Sequence, residues 1–433
     1  MPVSSRDRLE ACLARIKDPA GEGKRVFMRV YEEAAFEAAT AADARKARGL
    51  PLSPLDGSIV SIKDLFDQPG EVTLAGSKLL RDAAPALAEA PAIARLRAAG
   101  AVIIGKTNMT EFAFSGVGIN PHYGTPGNPA DRSRIPGGSS SGAAVSVADG
   151  MAEIAIGTDT GGSTRIPAAL CGITGWKPSQ QRVPRDGAFP LSFALDSIGP
   201  LAKSVTECAL ADAAMAGEPV LPPDAAPLAG LRFGIPTGPL LDNMMPEVAQ
   251  AFAVAKAVLE KAGARITEWP IADLLGQAGV LNARGGLVAP EAAHIHSAWL
   301  ESKAEEFDPM VLGRVRRGLA VSGPDYVAIQ QGRAALVHAM DQRLADIDAL
   351  LLPTVPLLAP KIAELANDEA AFTRDNLLLL RNTAVMNFFD LCAISLPMPV
   401  VKGALPAGLM LAARNGQDKR LFRMALSVEA ALA

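Results

Sequence analysis

Ile135-Pro-Gly-Gly-Ser-Ser-Ser-Gly-Ala-Ala144, followed after an apolar segment by Gly157-Thr-Asp-Thr-Gly-Gly-Ser-Thr-Arg-Ile-Pro167, is the stretch on which the reading of this chain turns. Its two Ser-Gly clusters, 137–142 and 161–163, flank a run from 143 to 156 rich in Ala, Val and Ile. Glycine at that density builds neither helix nor strand, since each one costs roughly 0.5–1 kcal/mol there relative to Ala. It serves where the backbone bends through positive φ, or where N–H groups must come close to something. Gly161-Gly162-Ser163 therefore reads as a turn that exposes a serine hydroxyl beside convergent backbone donors, the arrangement acyl transfer requires. A Ser-Gly loop can also cradle a phosphate, but no Gly-Lys-Ser/Thr ending follows here, which argues against nucleotide binding.

Serine is not a nucleophile at neutral pH without a base. Of the histidines His122, His294, His296 and His338, only His122 lies near the motif in sequence, and none sits in a setting that suggests a Ser-His-Asp arrangement. The chain offers a lysine instead, in Ile59-Val-Ser-Ile-Lys63-Asp-Leu-Phe66. If this segment is a strand, Ile59, Ser61 and Lys63 share one face and Val60, Ile62 and Asp64 the other. A lysine titrating at its usual value of about 10.4 is almost wholly charged at pH 7, so it must be perturbed to act as a base. Burial among Ile59, Ile62, Leu65 and Phe66 is the one depressing influence legible here.

With these residues in view, the chain resembles the amidase signature family of Ser-cis-Ser-Lys amide hydrolases. The resemblance rests on Gly-Gly-Ser-Ser-Ser-Gly at 137–142, Gly-Thr-Asp-Thr-Gly-Gly-Ser-Thr-Arg-Ile-Pro-Ala-Ala at 157–169 and Cys171-Gly-Ile-Thr-Gly-Trp-Lys-Pro178, in that order and spacing. Upstream, Ile62-Lys-Asp64, Gly105-Lys-Thr-Asn-Met-Thr-Glu-Phe112 and 120–129 fit as well. Downstream, so do Leu195-Asp-Ser-Ile-Gly-Pro200, Leu351-Leu-Pro-Thr354, Arg381-Asn-Thr383 and Leu405-Pro-Ala-Gly-Leu409.

The resemblance implies Ser163 as the acylating nucleophile, Ser139 as a bridging serine preceded by a cis peptide from Gly138, and Lys63 as the base. It makes the backbone N–H groups of Thr160, Gly161, Gly162 and Ser163 an oxyanion hole, and Asp159 with Arg165 a supporting ion pair. The implied architecture is one α/β domain over 1–433, a mixed twisted β-sheet covered by helices on both sides. Its signature core spans 50–210, and a variable, mostly helical region at 228–345 faces the substrate. Length alone would allow two or three domains.

The implied activity is hydrolysis of a small carboxamide to a carboxylate and ammonia. A glutaminase subunit of a tRNA-dependent amidotransferase is the alternative, and a catalytically silent binding relative a weaker one, since all three catalytic side chains are intact. Similarity around Leu74-Ala-Gly-Ser-Lys78 points toward family members acting on ureido compounds such as carboxybiuret, which leaves aliphatic, aryl and ureido amides all open. Arg314, Arg316 or Arg317 could recognise a substrate carboxylate, or simply make surface salt bridges.

Neither cofactor nor metal is expected, because Cys12, Cys171, Cys208 and Cys392 are scattered without metal-ligand spacing and read as buried thiols. A net charge of −4 over 433 residues, without a long basic tract, does not suggest nucleic acid as a partner. Charged early residues and the lack of an apolar run near 18–20 residues suggest neither signal peptide nor membrane span, hence a cytoplasmic protein. Self-association as a homodimer is left open.

Locally, Ser4 or Ser5 should cap a helix that buries Leu9, Cys12, Leu13 and Ile16. A second helix is expected from about 26 to 48, closed by Gly49. Helix, glycine and strand should follow one another at 91–104 and again at 246–267. The Pro/Ala-rich run 216–227 reads as a linker, and the apolar run 391–401 as buried sheet or core rather than a membrane element.

Overall fold

The computed structural model describes residues 3–400 and 403–433. Among them, eleven strands form one mixed sheet: β1 (Phe27–Val30), β2 (Ile59–Lys63), β3 (Val102–Thr107), β4 (Ile154–Asp159), β5 (Thr174–Lys177), β6 (Ser197–Ala202), β7 (Arg232–Pro236), β8 (Arg265–Trp269), β9 (Ala349–Pro353), β10 (Cys392–Pro397) and β11 (Gly408–Ala413). Their order across the sheet is β1-β3-β2-β4-β6-β5-β10-β11-β9-β7-β8. β3, β2 and β4 run parallel, as do β9, β7 and β8, and the pairs between these blocks are antiparallel.

The interior strands are buried on both faces, which requires helices on both sides of the sheet. β8, the last strand, is largely exposed, as an edge can be. Strand alternation divides the core as the sequence pattern indicates. Val60 and Ile62 join one apolar cluster with Ile103, Ile154 and Ile156, whereas Ile59 joins a second with Val102, Ile104 and Ala155. The helix Ser141–Ala148 packs in this second cluster. Ser61, on the Ile59 face, meets it through a 2.9 Å hydrogen bond to Ser146. Lys63 is two residues further along that same face, at the C-terminal end of β2.

The expected helix across 26–48 is a point of difference. The chain forms a short helix Gly23–Val26, then β1, then a helix Glu32–Ala47 that ends before Gly49 at φ +71°. The reason is tertiary: β1 pairs antiparallel with β3, and the Tyr31 N–H donates to Ile104 O at 2.8 Å, so a non-local sheet edge overrides a helical local pattern. Of the apolar run 391–401, residues 392–397 form buried β10, Val400 is exposed, and 401 lies outside the described residues; the capped first helix and the helix-glycine-strand units are as expected. Ser4 caps the helix Ser5–Lys17 through the Asp7 N–H, with Leu9, Cys12, Leu13 and Ile16 buried. Helix, glycine and strand recur at Pro91–Ala98 with β3 and at Pro246–Lys261 with β8. Residues 228–345 carry helices, but also β7 and β8. All four cysteines are buried and free. Among the described residues no helix is long and apolar enough to cross a membrane.

Candidate active site

Lys63 leaves β2 with no solvent exposure. Its Nζ lies 2.8 Å from Ser139 Oγ and 2.8 Å from Thr158 Oγ1 on neighbouring β4, and it forms no salt bridge among the described residues. Burial drives its pKa down to about 7, against a smaller upward pull from Asp196 and Asp159. From about pH 7 upward, where a free lysine is still charged, neutral Lys63 is therefore the main form.

Ser139 stands just ahead of the helix Ser141–Ala148, after a cis Gly138–Ser139 peptide. Gly138 tolerates no side chain, because a Cβ there would stand 2.8 Å from both Gly118 N and Thr110 Oγ1. The Ser139 carbonyl accepts the Thr110 N–H at 3.1 Å, and the Gly138 N–H donates to Gly116 O at 2.8 Å, so the loop is pinned on both sides.

Ser163 sits in the turn that joins β4 to the helix Arg165–Cys171. It lines a cavity of about 450 Å³, and its Oγ makes no hydrogen bond among the described residues. Its carbonyl accepts the Ser140 N–H at 3.2 Å, which brings the two Ser-Gly clusters together. The backbone N–H groups of Thr160, Gly161, Gly162 and Ser163 have no acceptor among the described residues either, whereas the next, of Thr164, donates to Asp159 Oδ2. Gly162 has φ +138°, and a Cβ there would fall 2.2 Å from Thr383 Oγ1. That hydroxyl donates to Gly161 O at 2.6 Å, fastening the turn to the helix Glu369–Phe388.

Beneath the turn, Asp159 and Arg165 form a fully buried bidentate pair at 3.0 and 2.9 Å. Asn387 bridges them, accepting from Arg165 at 2.7 Å and donating to Asp159 at 2.9 Å. Although burial opposes ionisation, the Arg165 guanidinium with its hydrogen bonds holds the Asp159 carboxyl well below the usual range. Thr160 Oγ1 donates at 2.6 Å to half-buried Asp196, whose other oxygen accepts the Leu191 and Ser192 N–H groups.

The three side chains expected from sequence thus lie in one neighbourhood, with Lys63 bonded to Ser139 and Ser163 facing the cavity without a hydrogen bond to either. None of the histidines hydrogen-bonds a serine hydroxyl: His122 pairs with Glu111, His338 with Gln342, and both ring nitrogens of His296 lack a partner. Among the described residues no three His, Cys, Asp or Glu side chains are grouped to hold a metal ion. Thr158, Asp196, Thr383 and Asn387 were not singled out from sequence. Thr158, Asp196 and Thr383 lie inside quoted motifs, yet only the fold gives them partners.

A mixed sheet of this order carrying this glycine-serine turn defines an amidase signature fold. The chain belongs to the Amidase family, whose sequence pattern matches residues 7–422, and it is accordingly a hydrolase acting on C–N amide bonds. It is 38% identical over 406 residues to 2-amino-5-chloromuconic acid deaminase of Comamonas testosteroni, covering 92% of this chain and 86% of that one. It is 37% identical to AtzE, the 1-carboxybiuret hydrolase subunit of Pseudomonas sp. (strain ADP), covering 83% and 80%. A glutamyl-tRNA(Gln) amidotransferase subunit of Chloroflexus aggregans is 37% identical over 96% of this chain and 90% of its own. A crystal structure of an amidase superposes with a TM-score of 0.88 at 34% identity, covering 100% and 97%.

Proposed function

We propose that this chain is an amidase that hydrolyses a small carboxamide through a Ser163 acyl-enzyme, with Lys63 and Ser139 as its proton relay. The observation that carries this reading is the setting of Lys63: fully buried, unpaired with any carboxylate, and 2.8 Å from the Ser139 hydroxyl. Neutral Lys63 takes the Ser139 proton as Ser139 Oγ takes that of Ser163, and Ser163 Oγ adds to the amide carbonyl. The negative charge that develops on the carbonyl oxygen is met by the free N–H groups of residues 160–163, donors already in place before reaction. The relay then runs backward and protonates the leaving nitrogen as the C–N bond breaks. Water, deprotonated along the same path, releases the carboxylate and restores Ser163. The unpartnered Ser163 hydroxyl is free to turn toward Ser139 or toward substrate.

The amidotransferase reading draws on the likeness to the Chloroflexus protein. The other two relatives are named for a deaminase and a hydrolase of small compounds, which favours release of ammonia from a small molecule. The purified chain should take up one equivalent of a fluorophosphonate, and peptide mass mapping should place it on Ser163. It should also release ammonia from members of an aliphatic, aryl and ureido amide panel without added partner proteins. Labelling elsewhere, or ammonia release by Ser163→Ala above about a thousandth of the wild-type rate, would remove Ser163 from its role.

A further inference from the structure

The wall of the cavity that faces Ser163 contains two arginines, Arg314 and Arg317, and no Asp or Glu. Three residues apart on the helix Pro309–Arg317, they share one face of it. Arg316 points elsewhere and donates to Leu300 O at 3.3 Å, so the structure separates three arginines that the sequence left equivalent.

Arg314 is built into place. Its Nη1 donates to Phe114 O at 2.5 Å, and its guanidinium lies 5.6 Å from the Phe114 ring and 5.8 Å from that of Phe372. Yet no carboxylate pairs with it, and burial with the Arg317 charge lowers its pKa to about 10. Arg317 has neither an ion pair nor a hydrogen bond among the described residues.

A second, independent observation lies on the same strip of backbone. Asn376 is fully buried and lines the cavity; its Oδ1 accepts the Gly116 N–H at 2.9 Å and the Ser115 hydroxyl at 3.3 Å. Those two donors fix the amide orientation, which leaves Nδ2 as a buried donor with no acceptor. A lone buried donor costs free energy that a bound acceptor would recover. Arg314 is tied to Phe114 and Asn376 to Gly116, so both side chains are anchored on one stretch of three consecutive residues. Gly116 in turn receives the Gly138 N–H, one residue from Ser139. Two guanidinium groups and an amide therefore face a cavity otherwise lined largely by apolar groups such as Leu191, Leu287, Leu380 and Phe388.

We propose that Arg317, with Arg314 and Asn376, forms an anion subsite, and that the amide cleaved at Ser163 carries a carboxylate joined to it by an apolar spacer. This rests on the amidase reading above. An apolar amide would leave the two guanidinium charges, Arg317 exposed to water and Arg314 bonded only to Phe114 O, without a counter-ion, whereas a carboxylate supplies that charge together with acceptors.

The test uses monoamides of four- to six-carbon dicarboxylic acids, each paired with the amide of equal length ending in methyl, and measures ammonia release by the purified full chain. Wild type should favour the anionic member, and Arg317→Gln should cut the anionic-to-neutral ratio of kcat/KM at least about tenfold, with a smaller preference at high salt. Arg317→Glu should shift preference toward amine-terminated amides. Calorimetric binding of the matching dicarboxylates to Ser163→Ala gives a readout that needs no turnover, and it should weaken in Ser163→Ala/Arg317→Gln. A wild-type preference for methyl-terminated amides, a ratio unmoved by Arg317→Gln, or no binding of any dicarboxylate would overturn the subsite. Fluorophosphonate labelling of Ser163 in wild-type protein would show that the hydrolase reading stands without it.

Discussion

Glu111, fully buried in the turn that follows β3, accepts the backbone N–H of Asp308 through Oε2 at 2.7 Å. Asp308 caps the helix Pro309–Arg317, its own Oδ1 accepting the Met310 N–H, so the helix with Arg314 and Arg317 is hung from a core carboxylate. The other Glu111 oxygen accepts the Ser77 hydroxyl at 2.7 Å and lies 2.8 Å from His122 Nε2. Glu111→Gln keeps its acceptor for the Asp308 N–H only by turning its NH2 toward Ser77 and His122, which must then accept where the hydroxyl had donated. We expect a loss of about 1–3 kcal/mol in stability and a raised KM with kcat less affected, since the helix moves but the serines do not. Denaturant melts and steady-state kinetics on the mutant check both.

The pH–rate profile follows from Lys63. The base proposed above works when neutral, and the Lys63 pKa is lowered to about 7, so on that proposal kcat/KM should rise across that pH and level off above it. Lys63→Ala should lose most activity at neutral pH and recover part of it in strong alkali. Lys63→Arg should not restore it, because a guanidinium keeps its proton. An arginine variant as active as wild type would mean that only the positive charge matters.

The same shift predicts a cost in stability. Between about pH 7 and 10.5 the unfolded chain holds a proton on Lys63 that the folded chain does not, so this group's contribution improves as pH rises through that window. Lys63→Met removes the penalty along with the activity. Its thermal midpoint should exceed that of wild type at pH 7, with the gap narrowing toward pH 10. Calorimetry at both values measures it, and an equal gap would show that the lysine is not forced neutral by folding.

His296 offers a structural test away from the serines. It is buried between the rings of Phe112, Phe189, Trp299 and Phe307, and neither nitrogen has a partner. Burial lowers its pKa to about 4, so the unfolded chain gains a proton first as pH falls from about 6.5, and stability falls with it. His296→Phe should raise the melting temperature, and more at pH 5 than at pH 8. A lower midpoint at both would indicate a hydrogen bond to an internal water.

That Lys63, Ser139 and Ser163 would lie near one another was legible chiefly through the family resemblance, whose local signs are the glycine-rich serine clusters and a lysine inside an apolar strand. The sheet edge at Phe27–Val30 was not, because four residues pairing with β3 are too few to show a period of two against a helical background. Nor was the fourth wall of the cavity, where Leu380, Ala384 and Phe388 line up on the helix Glu369–Phe388. Their spacing is that of any amphipathic helix, and only its docking on the Gly161 turn turns one side of it toward substrate. Arg314 and Arg317 were visible as cations, but Asn376 was not, since its significance lies in an acceptor it lacks.

That docking bears on how the protein is made. The Gly161-Gly162-Ser163 turn is fastened by Thr383, 222 residues downstream of Gly161, and the ion pair beneath it is completed by Asn387. A ribosome that has delivered Lys63 and both serines has still to deliver the residues that hold their loop in shape. On the mechanism proposed above, the emerging chain therefore carries every reactive group long before it carries a working centre, and prematurely terminated products should be inert toward the amides around them.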